Sequence, residues 1–133
     1  MPYLIDTDWV IDYLADAADA LQLLERLAED GIAISIITYM EIYQGVDRSP
    51  NPAEAEAILQ SFLEAVPILP FSLSVARRCA HLREELRSRR RRVNQRALDL
   101  IIAATALEHS LTLVTRNVED YEDIPGVELY SAS

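Results

Sequence analysis

The sequence predicts an α/β fold, a mostly parallel sheet layered against helices, on three observations. Short apolar, β-branched segments alternate with longer amphipathic ones. The segment Ile32 to Ile37 is apolar almost throughout, as a strand covered on both faces must be. Acidic residues follow the strand-like segments, at the sheet edge where α/β folds gather ligands. Tyr3 to Asp6 reads as the first strand and Asp8 to about Ala15 as a helix. Asp19 to Asp30 reads as a second helix, with Leu21, Leu24, Leu27 and Ala28 at helical spacing and Gly31 as its stop. After the strand Ile32 to Ile37, Thr38 is placed to cap a third helix reaching about Gly45. The loop Asp47 to Pro52 leads to a fourth helix from Ala53 to Ala65, and Val66 to Phe71 forms a short strand. A long amphipathic helix is expected from Ser74 to Arg89 and another, capped by Asn94, to His109. A strand from Leu111 to Thr115 and an extended piece near Val127 to Tyr130 complete the chain.

A chain of 133 residues, half of them apolar, suits one domain over 1–133 with a single packed interior. No stretch approaches the roughly 20 apolar residues of a membrane span. Met1 runs directly into an apolar segment ending in Asp6, without the basic start of a signal peptide, so a soluble cytoplasmic protein is expected. Cys79, the only cysteine, permits no internal disulfide and belongs in the interior; nothing resembles a Cys/His zinc cluster.

A net charge of −10 argues against a nucleic-acid partner, but the average conceals two regions. Between Arg77 and Arg96 stand nine arginines against Glu84 and Glu85, a balance of +7; the remainder carries −17. Arg89, Arg90, Arg91 and Arg92, with Arg83 and Arg87 one or two turns earlier, are placed to guide an RNA backbone towards a pocket that repels it. A solvated helix end, or a dock for an acidic partner segment, explains the same residues.

Asp6 ends the first strand, Glu41 follows the second by a helical turn, and Asp120 follows the last core strand after a short loop. Asp99 lies in the apolar run Ala97 to Ala104, where an unpaired charge costs several kcal/mol, so it must be protonated, paired or bound to a metal. Converging carboxylates raise one another's proton affinity, which a divalent cation relieves, and hard oxygen ligands favour magnesium or manganese over zinc. Each acid also has a structural reading. Glu41 completes a capping box with Thr38, Asp6 and Asp8 cap the first helix, Asp99 pairs with Arg96, and Asp120 is a solvated loop acid.

Nearly the whole chain resembles the PIN domain, and within it the VapC toxins of prokaryotic toxin–antitoxin modules. The resemblance rests on Tyr3-Leu4-Ile5-Asp6-Thr7-Asp8, on Ile36 to Ile42 with Gly45 four residues after Glu41, on Leu98 to Ala106 followed by Leu111 to Asn117, and on Asp120-Tyr121 with Ile124-Pro125-Gly126. It implies a three-layer PIN fold and a magnesium-dependent endoribonuclease leaving 5′-phosphate and 3′-hydroxyl ends. Its catalytic and metal-binding acids carry over onto Asp6, Glu41 and Asp99. Some relatives place the fourth acid where this chain has Asn117; here Asp120, before the aromatic, takes that role, with Thr115, Asn117 and Asp8 in support. The implied partners are RNA, a cognate antitoxin and a second copy of the chain. Trp9, Tyr13, Tyr39 and Tyr43 are then either a core layer or a groove for an antitoxin helix.

Two rivals compete. Asp6-Thr7-Asp8 after a first strand also resembles aspartate-dependent phosphotransferases, but these need a lysine in the site and this chain has none. A catalytically silent PIN-like domain that only binds RNA or protein is the alternative, against which the full set of motif acids counts.

Overall fold

The computed structural model describes residues 2–131. Four parallel strands, β1 (Tyr3–Ile5), β2 (Ile32–Ser35), β3 (Ile68–Leu69) and β4 (Thr112–Val114), lie in the order β3-β2-β1-β4. Helices α1 (Thr7–Leu14), α2 (Ala18–Ala28), α3 (Ile36–Arg48), α4 (Pro52–Leu63), α5 (Leu73–Ser88) and α6 (Ala97–Glu108) connect them. The β1, β2 and β4 carboxyl ends therefore open on one edge.

Strand alternation builds the layers. Leu4, Ala33 and Leu113 point into an interior shared with α5 and α6, where Val75, Cys79, Leu82, Leu86, Leu100 and Ala103 pack. Ile5, Ile34 and Val114 point the other way, onto Val10, Leu24, Ile42, Val46 and Leu59 from α1 to α4. Cys79 is buried, as expected. Among the described residues no helix is long and apolar enough to cross a membrane.

The second strand is shorter than its composition suggests. It stops at Ser35, whose Oγ accepts from the Thr38 backbone N–H at 3.1 Å, so Ser35 rather than Thr38 caps α3. Ile36 and Ile37 are helical, and a run of β-branched residues buried on all sides does not separate the two states. The helix continues past Gly45 to Arg48, consuming the start of the expected loop. Asn94 opens a 3₁₀ turn (Asn94–Arg96) rather than capping α6, which starts at Ala97 without a side-chain cap. The expected last strand is one parallel bridge, Leu113 to Leu129, flanked by bonds from Leu113 N to Glu128 O and from Tyr130 N to Leu113 O. Gly31 ends α2 at φ 110° and Gly126 takes φ 82°, left-handed positions that favour glycine, and a Cβ at Gly126 would press on Leu107 Cδ2 at 3.3 Å.

Candidate active site

Asp6 leaves β1 as the N-cap of α1, and its two oxygens have separate partners. Oδ1 accepts from the Thr7 N–H at 2.8 Å and Oδ2 from the Thr115 hydroxyl, at the end of β4, at 2.7 Å. The residue is 4% exposed, and burial, with smaller contributions from the Asp99 and Asp8 charges, pushes its pKa from 3.8 to about 6 despite those bonds. The capping reading of Asp6 is thus correct, and no cationic side chain among the described residues pairs with this buried carboxylate.

Glu41 does not cap α3; its Oε1 accepts from the Thr7 hydroxyl at 2.6 Å, tying α3 to the start of α1. Asp99, in the first turn of α6, accepts from the Tyr121 hydroxyl at 3.1 Å. Burial raises its pKa, the Asp120 and Glu41 charges raise it further, and the Tyr121 bond and Arg96 oppose them. The Asp6 charge also bears on this phenol. Burial and these two charges push its own pKa far up, which keeps it a neutral donor.

Asp120 sits at the rim. It ends the 3₁₀ turn Val118–Asp120 and pairs with Arg92 at 3.2 Å, both side chains partly exposed. Asp8 accepts from Asn117 Nδ2 at 2.8 Å, and the Asn117 N–H donates to Thr115 Oγ1 at 3.0 Å, so both supporting residues connect to Asp6 through Thr115. The donors are all oxygen, and among the described residues no cationic side chain pairs with Asp6 or Asp99, a chemistry that fits a hard divalent ion. Among the described residues no three His, Cys, Asp or Glu side chains stand as a ready cage, so an ion here would draw ligands from water or substrate, as magnesium commonly does.

The structural alternative for Asp99, a pair with Arg96, is not formed. Arg96, 3% exposed, gives Nη1 and Nη2 to Asp123 at 2.6 and 2.8 Å, Nε to the Arg92 carbonyl at 2.7 Å, and Nη1 also to the Asp120 carbonyl at 2.8 Å. A bidentate carboxylate with two carbonyls satisfies the guanidinium fork better than Asp99, three residues along the chain, would. This clasp fastens the loop bearing Asp120 and Tyr121 to the start of α6. Sequence reasoning missed it, and quoted Tyr121 only as the aromatic after Asp120.

The arginine run divides. Arg89 pairs with Glu85 at 2.9 Å and Arg92 with Asp120, while Arg90, Arg91 and Arg92 line a cavity of about 850 Å³ between α5 and the start of α6, with Cys79 and Ile101 among its apolar walls. Arg90 takes φ 59° just past the α5 terminus, a left-handed position that favours glycine. Trp9, Tyr13, Tyr39 and Tyr43 are partly buried against the α1 to α4 interior, the core-layer reading, with Tyr39 and Tyr43 5.8 Å apart.

Residues 3–126 match the PIN domain family. Ribonuclease VapC2 of Rickettsia felis is 31% identical over 131 residues, covering 97% of this chain and 96% of that protein. The chain belongs to the PIN-domain family, in its VapC branch. The tRNA(fMet)-specific endonuclease VapC of Salmonella typhimurium, a second relative, is 26% identical, covering 97% of this chain and 96% of that protein. Among solved structures, the VapBC2 complex of Rickettsia felis bound to a promoter DNA fragment contains a chain that superposes on this PIN domain with a TM-score of 0.86 at 30% identity, covering 98% of both. The DNA-bound VapBC of Salmonella typhimurium gives 0.87 at 25% identity, covering 98% of this chain and 97% of that one. The three-layer PIN architecture is therefore the one this chain adopts.

Proposed function

We propose that this PIN domain is a metal-dependent endoribonuclease, the toxin of a VapBC-type pair, which hydrolyses RNA phosphodiester bonds with Asp6, Glu41, Asp99 and Asp120 around magnesium or manganese. The observation that carries the reading is the convergence of Asp6 and Asp99, whose charges both act on the Tyr121 hydroxyl that bonds Asp99 and neither of which pairs with a cationic side chain among the described residues. Its family relatives are named as ribonucleases and endonucleases.

A divalent ion in such a site lowers the pKa of a water and steadies charge developing on phosphate. Asp6 and Asp99, with Glu41 from α3 and Asp120 at the rim, would supply the carboxylates that hold it. Thr115 orients Asp6 through its 2.7 Å bond, and Asn117 and Asp8 brace Thr115 and the rim. Arg90, Arg91 and Arg92 provide positive potential beside the acidic mouth, with Arg89 at the edge of the same run. Ile11, Met40 and Ile58, exposed on α1, α3 and α4, supply apolar surface for an antitoxin segment. A homodimer in the cytoplasm completes the proposal.

The test is antitoxin-free protein incubated with total RNA in magnesium, in EDTA, and in parallel with a phosphomonoester. Metal-dependent cleavage leaving 5′-phosphates, without phosphatase activity, is expected. Magnesium uptake with no hydrolysis of any cellular RNA would favour the silent binding module.

A further inference from the structure

Thr7 stands between two of the acids. Its backbone N–H donates to Asp6 Oδ1 at 2.8 Å and its hydroxyl to Glu41 Oε1 at 2.6 Å, so one residue at the start of α1 grips carboxylates that arrive from the end of β1 and from α3. The same hydroxyl oxygen is 3.0 Å from that of Thr38, which in turn lies 3.4 Å from the Ser35 Oγ. Thr7 is 8% exposed, and Thr38 and Ser35 are fully buried.

Proton counting orders the donors in this series. A hydroxyl has one proton to give and lone pairs with which to accept. The Thr7 proton goes to Glu41, because 2.6 Å is the short distance of a hydroxyl bonded to a charged carboxylate. Towards Thr38 the Thr7 oxygen can then only accept, so Thr38 donates to Thr7 and Ser35 donates to Thr38. Ser35 closes the series by accepting from the Thr38 N–H at 3.1 Å. Every hydroxyl proton points towards Glu41, and hydrogen bonds aligned head to tail strengthen one another. The series ends on a carboxylate with which no cationic side chain among the described residues pairs.

We infer that Thr7 is a positioning residue for the divalent ion. Its N–H and hydroxyl set the separation of Asp6 and Glu41, and Thr38 and Ser35 hold the Thr7 side chain in the rotamer that does so. With Oε1 of Glu41 engaged by Thr7, Oε2 is the oxygen left for the ion or for a water on it. The inference rests on the metal-site reading above and adds a residue that acts through the acids.

The test is calorimetric titration of antitoxin-free protein with magnesium, with thermal midpoints in EDTA to check that each variant is folded. Thr7→Val, which keeps the branched shape and the N–H but removes the hydroxyl, should weaken magnesium binding about tenfold, the lower end of the cost of losing an outer partner of a metal ligand. Thr7→Ser, which keeps the hydroxyl, should recover most of that affinity. Thr38→Val, one step further from the acid, should weaken binding in the same direction by less. In a Glu41→Gln background Thr7→Val should cost little more, because the group through which it acts is already gone. Unchanged affinity in Thr7→Val overturns the inference, as does a loss that Thr7→Ser fails to recover or one of equal size in the Glu41→Gln background. If Thr7→Val does not fold, Thr38→Val takes its place, and unchanged affinity there overturns the inference. Wild-type protein that takes up neither magnesium nor manganese overturns the metal site and this role together. Weakened uptake in Thr7→Val by a protein that cleaves no RNA sustains the role and removes the ribonuclease reading alone.

Discussion

Asp6, Glu41 and Asp99 are held by hydroxyl groups, from Thr115, Thr7 and Tyr121, whereas Asp123, two residues past Tyr121, is held by both terminal nitrogens of the buried Arg96 guanidinium. The pKa directions follow the partners. Burial raises both Asp6, to about 6, and Asp99, while the Arg96 bonds lower Asp123. A hydroxyl fixes a carboxylate without cancelling its charge, and an arginine does both. The first arrangement keeps charge available for a ligand; the second spends it on structure.

That contrast breaks most visibly in activity. Asp6→Asn or Asp99→Asn should lower metal-dependent RNA cleavage by more than about a hundredfold, since removing even an outer partner of a metal ligand commonly costs 10–100-fold. Single-turnover assays on antitoxin-free protein would check this, and cleavage within tenfold of wild type would remove these acids from the chemistry.

Stability should move in opposite directions in the two regions. Arg96→Met strands Asp123 and the Asp120 and Arg92 carbonyls, and should destabilise by about 3 kcal/mol in urea unfolding, somewhat under a fully buried pair because Asp123 remains partly exposed. A loss under 1 kcal/mol would show the clasp to be dispensable.

Asp6 provides the reverse case. Below its unfolded pKa of 3.8 both states hold the proton; between 3.8 and about 6 the unfolded chain releases it and the folded chain keeps it. Metal-free stability therefore falls across that window, by roughly 2 to 3 kcal/mol at 1.36 kcal/mol per unit, and stays lower above it. Asp6→Asn, which still caps a helix, should remove the fall. Unfolding curves at pH 4.5 and 7.5 in EDTA, for both proteins, would show it.

The smallest effect concerns Arg90. Arg90→Gly relieves its left-handed backbone and should stabilise by up to about 1 kcal/mol. The same variant should weaken RNA binding and flatten its dependence on salt, by about 0.7 in log–log slope per lost contact to a single strand. An unchanged slope would leave the residue as helix termination alone.

The alternation of segments, the placement of the acids at strand ends and their apolar setting were legible in the sequence because they depend on local periodicity. Boundaries failed where local signals were ambiguous. Ile36-Ile37 extends an apolar run into a helix, and Ser35 and Thr38 are both suitable caps. The long-range partners were not legible. Arg96 has Asp99 three residues away and Asp123 twenty-seven away, and no local rule chooses the distant one. Tyr121 likewise carries no local sign that its hydroxyl reaches Asp99, twenty-two residues back, and Trp9 none that its N–H lacks an acceptor.

The most direct test of the central contrast is the thermal midpoint with and without magnesium. Wild-type protein should be stabilised by magnesium in a saturable way, and Asp99→Asn should be at least as stable as wild type in EDTA while losing the magnesium response. Asp123→Asn should be destabilised and keep it. An Asp99→Asn protein that retains the full magnesium shift would contradict the account, because the ion would then bind somewhere other than the hydroxyl-held acids.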